Sequence, residues 1–284
     1  VTFRLFARGL ALALLVVAIL MPKFRVPRAV YDVVAVLDIT GSMNTRDQHL
    51  DGAAVSRIAM EKRAMHRLLA KLPCGSRLGL AVFVEKQPFL LFEPIETCEN
   101  FSAIDAEIEA VNWRMGWDTE SHIADTLLAS IRMVDALGAD LIFMTDGQET
   151  PPLWWTGMPS FDRARGTARG IIEGVGGHIL TPIPRFDQHG REIGVFRPGD
   201  VPVERDGMFR GREYMSAVDE DHLRALASLS GLTYRHLDDA DALYPALQAS
   251  AKPRVQATYS DFRWIAAAAS LALLLAAMLP GRQA

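Results

Sequence analysis

The sequence predicts an α/β protein: a doubly wound, mostly parallel sheet with one antiparallel edge strand. Three observations carry this. Short β-branched runs alternate with helix-period segments of ten or more residues, the pattern of a parallel sheet covered on both faces. Two of these runs stop abruptly at an aspartate, Leu37-Asp38 and Thr145-Asp146. Two further runs, 77–84 and 89–92, are separated only by Glu85-Lys86-Gln87-Pro88, which reads as a hairpin turn.

In chain order, residues 30–37 (VYDVVAVL) form the first strand. A helix follows over 56–72, with Ile58, Met65, Leu68, Leu69 and Leu72 on one face. After the hairpin come a short helix over 102–111 and a longer one over 122–137 that buries Ile123, Leu127, Ile131 and Val134. Residues 140–145 (DLIFMT) read as a buried strand, 161–173 as a helix and 178–183 as a strand. A helix over 219–230, a strand over 232–237 and a helix over 241–251 complete the series. Between 184 and 215, Pro184, Pro198, Pro202 and five glycines break the rhythm, which predicts an inserted loop or small hairpin.

The ends differ from the middle. Gly9 to Met21 reads GLALALLVVAILM, and with Leu5-Phe6-Ala7 and Arg8 ahead of it the stretch amounts to 17 residues, near the minimum for a bilayer core of about 30 Å. No small-x-small cleavage site follows it, so an uncleaved anchor is expected. Trp264 to Leu279 is a second uncharged run, with Arg263 and Trp264 as interface anchors. The expected organisation is an N-terminal transmembrane anchor and linker over 1–29, one domain over 30–252, and a linker with a C-terminal transmembrane helix over 253–284. The basic residues near the spans, including Lys23, Arg25, Arg28 and Lys252, would place the domain in the cytoplasm. The cysteines argue the other way. Cys74 and Cys98 each lie twelve residues from Lys86, so hairpin pairing would set them opposite one another, within disulfide reach. Two unrelated buried thiols are the alternative.

A formal charge of −4, with no basic stripe interleaved with aromatics, argues against nucleic acid as a partner. The chemistry sits at strand ends instead, where open α/β sheets bind ligands. Past Asp38 lie two hydroxyls at alternate positions, Thr40 and Ser42, with Gly41 between them. A second hydroxyl-rich loop, Gly116-Trp117-Asp118-Thr119-Glu120-Ser121, precedes the helix over 122–137. Carboxylates and hydroxyls are hard donors suited to Mg²⁺, Ca²⁺ or Mn²⁺ rather than zinc. Trp117, Trp154 and Trp155 fall on the same face and are candidate partner contacts. Asp47 and Asp51 follow the first motif, either as support for it or as a solvated loop. No phosphate-binding glycine loop and no nucleophile–base pair is visible. A Mg²⁺-dependent phosphohydrolase with Asp38 as nucleophile is the competing class, but such enzymes need a carboxylate where this chain has Thr40; a structural anchor with a dead site is a third.

Asp38-x-Thr40-x-Ser42, the second-loop hydroxyl and Thr145-Asp146-Gly147 together resemble the von Willebrand factor A (vWA) family and its metal-ion-dependent adhesion site. The resemblance covers about residues 30–250. It implies Asp38, Thr40, Ser42, Ser121 and Asp146 as metal ligands, with Thr119 as the alternative to Ser121. It also implies a divalent ion, Mg²⁺ first, with one open position that a Glu or Asp of a protein partner fills, and no enzymatic activity. Within the family, Asp38 to Asp47 followed by Val55-Ser56-Arg57, with an expected membrane span at each end, is similar to accessory proteins of bacterial methanol-oxidation clusters, of the MxaL type. That likeness implies a MoxR-type AAA+ ATPase, other vWA accessory proteins and a periplasmic, calcium-dependent methanol dehydrogenase as partners in maturation. It also implies an inner-membrane location with the domain on the periplasmic face.

Overall fold

Strand β2 (Asp32–Asp38) shows why the chain folds as it does. Its alternate residues Val33, Ala35 and Leu37 enter one core, and Val34 and Val36 enter another, all fully buried. A strand that is apolar on both faces needs a helical layer on each side. In a computed structural model of the chain, which describes residues 2–116, 120–162, 166–167, 169–198, 200 and 214–278, both layers are present.

Two units partition the chain, Val1–Arg28 with Val255–Ala284, and Ala29–Arg254. The first holds helix α1 (Thr2–Leu20), and its strand β1 (Phe24–Val30) runs on into the second. The second continues with β2, β3 (Gln48–Leu50), β4 (Ala53–Val55), α2 (Arg57–Lys71), β5 (Arg77–Val84), β6 (Gln87–Glu96), α3 (Phe101–Ala110), α4 (Ile123–Leu137) and β7 (Asp140–Thr145). Next come α5 (Leu153–Thr156), β8 (Gly170–Gly174), β9 (Thr181–Pro182), β10 (Pro184–Phe186), β11 (Glu192–Val195), β12 (Met215–Ser216), α6 (Glu220–Ser230), β13 (Thr233–His236) and α7 (Leu243–Ser250). Strand β14 (Arg254–Ser260) pairs with β1, and α8 (Arg263–Met278) ends the described chain.

The main sheet has the order β13-β8-β7-β2-β5-β6. Every pairing is parallel except β5 with β6. Helices α2, α3 and α7 cover one face and α4 and α6 the other. On the second face Phe83 and Phe143 stack with centroids 5.2 Å apart. Helix α2 starts at Ser56, whose Oγ accepts from Ala59 N–H, and α4 stops at Gly138 in the left-handed region. Strand order reverses around β2, because α2 leads to β5 on one side and α4 to β7 on the other. The carboxyl ends of β2, β5 and β7 therefore frame the ligand crevice expected of such sheets. Strand β6 carries the hairpin to Glu96, and Cys74 and Cys98 form a disulfide with Cα atoms 5.2 Å apart.

Two expectations change. The main-sheet strand expected over 178–183 is instead β8 at Gly170–Gly174, overlapping the end of the segment expected to be helical, and only the two-residue β9 falls within 178–183. The glycines flanking Ile171-Ile172-Glu173 decide the matter. At Gly170 φ is +139°, and an added Cβ would lie 1.8 Å from the Leu141 carbonyl oxygen. Gly170→Ala is expected to destabilise the fold by more than about 4 kcal/mol, read as lost soluble yield or a lowered urea midpoint.

The membrane spans are also overturned. No helix among the described residues is long and apolar enough to cross a membrane. In α1 the apolar run begins only after Arg8, so Gly9 to Leu20 rises about 18 Å, and the 16 residues of α8 rise about 24 Å, both short of a core of about 30 Å. This removes the basis for the two-span inner-membrane placement and for a side on which the domain would lie. The two helices pack on each other through small residues: Ala7, Ala11 and Ala18 against Ala266, Ser270 and Ala277. Ser270 Oγ donates to the Ala11 carbonyl at 2.8 Å.

Candidate metal centre

The chain leaves β2 through a tight turn that Asp38 itself organises. Asp38 Oδ1 accepts from Thr40 N–H at 2.9 Å and from Thr40 Oγ1 at 2.7 Å, an Asx-type closure that holds the loop against the strand end. Thr40 Oγ1 lies 3.3 Å from Ser42 Oγ. On the neighbouring strand, Thr145 Oγ1 donates to Asp38 Oδ2 at 2.6 Å and accepts from Gly147 N–H at 3.1 Å. Asp146 Oδ1 accepts from Gln148 N–H at 3.0 Å. Gly147 is obligatory here, with φ at +78° and Leu223 Cγ 2.7 Å from where a Cβ would sit. Asp38 and Asp146 are both fully buried, an uncommon state for adjacent carboxylates.

Ser121 reaches the same end of the sheet through backbone bonds. Its N–H donates to Thr150 O at 2.8 Å, and Thr150 N–H returns the bond at 2.9 Å. Its neighbours tie the loop to the end of β5: Glu85 N–H donates to Glu120 O, and His122 N–H to Glu85 O. Ser121 Oγ is buried and has no hydrogen-bond partner among the described residues. Thr119 and Trp117 lie outside the described residues, as do the side chains of Trp154 and Trp155.

Two charged residues on α2 complete the electrostatics. Arg57, wholly buried, donates from Nη1 to Asp146 Oδ2 at 2.6 Å and to Ser216 Oγ at 2.5 Å. Its Nε and Nη2 hold Asp47 at 3.0 and 2.6 Å, and Asp47 also takes the Gly177 N–H. Burial works against the guanidinium charge, but Asp146 and Asp47 outweigh it and keep its pKa above the usual value. One turn on, Glu61 is fully buried with neither carboxylate oxygen bonded. Burial, then Asp38 and Asp146, push its pKa well up, against a smaller opposing pull from Arg57. Asp38 is raised to about 7, first by burial and then by Asp146, with the two threonine hydroxyls pulling the other way. The sequence reading missed Arg57 and Glu61 as members of this site. Their signal was present, because positions 57, 61, 64, 65 and 68 form one stripe in which the last three are apolar. Of the acids after the first loop, Asp47 belongs to this network, whereas Asp51 is exposed and pairs with Arg63.

The donor set fits a hard cation. Asp38 keeps unused lone pairs on both oxygens, Ser42 and Ser121 offer hydroxyls, and Ser121 Oγ is an orphan that an ion would satisfy. Asp146 fits less directly, since Oδ2 is already shared between Arg57 and Ser216 and only Oδ1 has room.

Residues 33–148 match the family model of the von Willebrand factor type A domain. The matched stretch contains Asp38, Thr40, Ser42, Ser121 and Asp146. Among solved structures, BatB from Bacteroides thetaiotaomicron is similar over 77% of this chain and 96% of its own, at 19% identity and a TM-score of 0.52. An aerotolerance-related membrane protein from Bacteroides fragilis is similar over 77% of this chain and 97% of its own, at 17% identity and a TM-score of 0.49. Manganese-loaded TRAP protein from Plasmodium vivax covers 84% of this chain and 82% of its own, at 11% identity and a TM-score of 0.39. The family-model match makes the fold vWA-like, and the likeness to BatB shows a shared fold and nothing finer. No curated protein matches the chain.

Proposed function

We propose that the vWA-like domain, residues 30–252, binds one divalent cation, Mg²⁺ first, and uses it to hold a partner protein. Asp38, Thr40, Ser42, Ser121 and Asp146 supply the oxygens, Asp146 acting through its free Oδ1 or a water. The observation that carries this is the pair of fully buried aspartates at adjacent strand ends beside an unbonded, buried Ser121 Oγ. An ion with few direct charged ligands stays electrophilic, and a carboxylate from outside would complete its shell. The domain then acts by binding, without turnover. The partner class named by the sequence resemblance is a MoxR-type ATPase acting with a methanol dehydrogenase, and it rests on the residues from Asp38 to Asp47 and Val55-Ser56-Arg57 alone.

The test is capture by immobilised full-length protein of a partner from that class. Retention in Mg²⁺, release by EDTA, and loss of at least about tenfold in affinity when the partner's acidic residue becomes an amide are expected. Retention unchanged in EDTA would refute the metal-bridged grip.

A further inference from the structure

A second cluster lies at the sheet edge opposite β6, at the carboxyl ends of β8 and β13. These strands run parallel, with Gly174 in register with His236. The loop after β8 brings His178 back over the last residue of β13, and their rings stack with centroids 4.9 Å apart and planes 25° apart. Helix α6 begins beside them, placing Glu220 Oε1 3.2 Å from His236 Nδ1. One ligating atom from each of His178, Glu220 and His236 lies within 4.8 Å of the others.

His236 Nδ1 is buried and makes no hydrogen bond among the described residues, because its approach to Glu220 lacks hydrogen-bond geometry. Its other nitrogen, Nε2, faces Asp238 Oδ1 at 3.5 Å. A carboxylate on the far nitrogen is the arrangement that orients a metal-binding imidazole. Glu220 Oε2 pairs with Arg224, and Oε1 is the oxygen that faces His236. Two imidazoles and one carboxylate form a borderline donor set, chemically unlike the all-oxygen set around Asp38.

We propose that His178, Glu220 and His236 bind a transition-metal ion, Zn²⁺ by donor type, at a site separate from the Asp38 loop. Three protein ligands leave a fourth position for water or an exogenous group. Tetrahedral binding draws the ligand atoms to about 3.3 Å from one another. His178 can make that movement, since it is exposed and follows Gly176-Gly177. The ion would tie β8, β13 and α6 together at the sheet edge.

The experiment is calorimetric titration of chelator-stripped, full-length protein with ZnCl₂ in excess Mg²⁺, together with thermal melts. One equivalent of Zn²⁺ is expected, raising the melting temperature. His178→Ala and Glu220→Gln should each weaken binding at least about tenfold, with the metal-free melt of His178→Ala unchanged. His189→Ala, at an exposed histidine elsewhere, should bind as wild type, and so should Asp38→Asn. Absence of binding by the wild type, full binding by His178→Ala, or loss in Asp38→Asn would each overturn the proposal.

Discussion

Asp38→Asn is expected to lose Mg²⁺ stabilisation while leaving the metal-free protein no less stable than wild type at pH 8. In the wild type, Mg²⁺ at 100 times its Kd should add about 2.7 kcal/mol to unfolding stability; in the variant this increment should vanish. The metal-free behaviour follows from linkage. Asp38 has a folded pKa of about 7 against an ordinary value of 3.8. A group with a raised folded pKa holds its proton more tightly in the native state. Its stabilising contribution is therefore complete below about pH 4 and is lost as pH rises through about 7. Full expression of that shift amounts to about 4 kcal/mol. Glu173, raised to about 8 chiefly by burial, acts in the same direction. Metal-free wild type should thus weaken between pH 4 and 8, and Asp38→Asn should flatten the lower part of that slope. The amide can be accommodated, because the Thr145 hydroxyl can turn to accept from it. Urea unfolding across pH, with and without Mg²⁺, checks both halves. An unchanged Mg²⁺ increment in the variant would sink the assignment of Asp38.

Arg57→Met should be the more damaging change, destabilising the metal-free protein by about 3–5 kcal/mol. Methionine fills most of the arginine side chain's volume, so the loss reports charge and hydrogen bonds rather than packing. Without Arg57, Asp146 and Asp47 lose their buried counter-charge, Ser216 loses a donor, and Glu61 loses the positive charge that opposes its raised pKa. A buried charge stripped of its partner is far costlier than the intact pair is beneficial. Mg²⁺ should recover part of the deficit and bind more tightly than in wild type, because Asp146 Oδ2 loses one of its two donors and the neighbouring positive charge is gone. Chemical denaturation at pH 7.5 with and without Mg²⁺ reads both effects. A loss below about 1 kcal/mol would mean that the network around Arg57 contributes little.

The layered sheet was legible because burial on both faces leaves its mark along the chain. Val33 to Leu37 and Leu141 to Met144 can be apolar throughout only if helices cover both sides. Asp38 and Asp146 were legible for a related reason: a carboxylate closing such a run stands at the end of a buried strand. Strand β8 was not legible. Its necessity lies in the close approach of Gly170 to the Leu141 carbonyl, a contact between segments far apart in sequence. The terminal helices show the reverse failure. Apolar composition suggested spans, but the uninterrupted helical rise is too short once Arg8 is placed inside α1.

By itself, then, the sequence determined the alternation of elements, the antiparallel edge and the two aspartates, all of which follow from local period and from where apolar runs stop. Tertiary structure alone decided what surrounds those aspartates. Arg57 reaches Asp146 across 89 residues, and Thr145 reaches Asp38 across 107. It alone also brought His178, Glu220 and His236 together. Charge compensation and ligand convergence depend on distance in space, and the order of residues along the chain does not encode that distance until the sheet has closed.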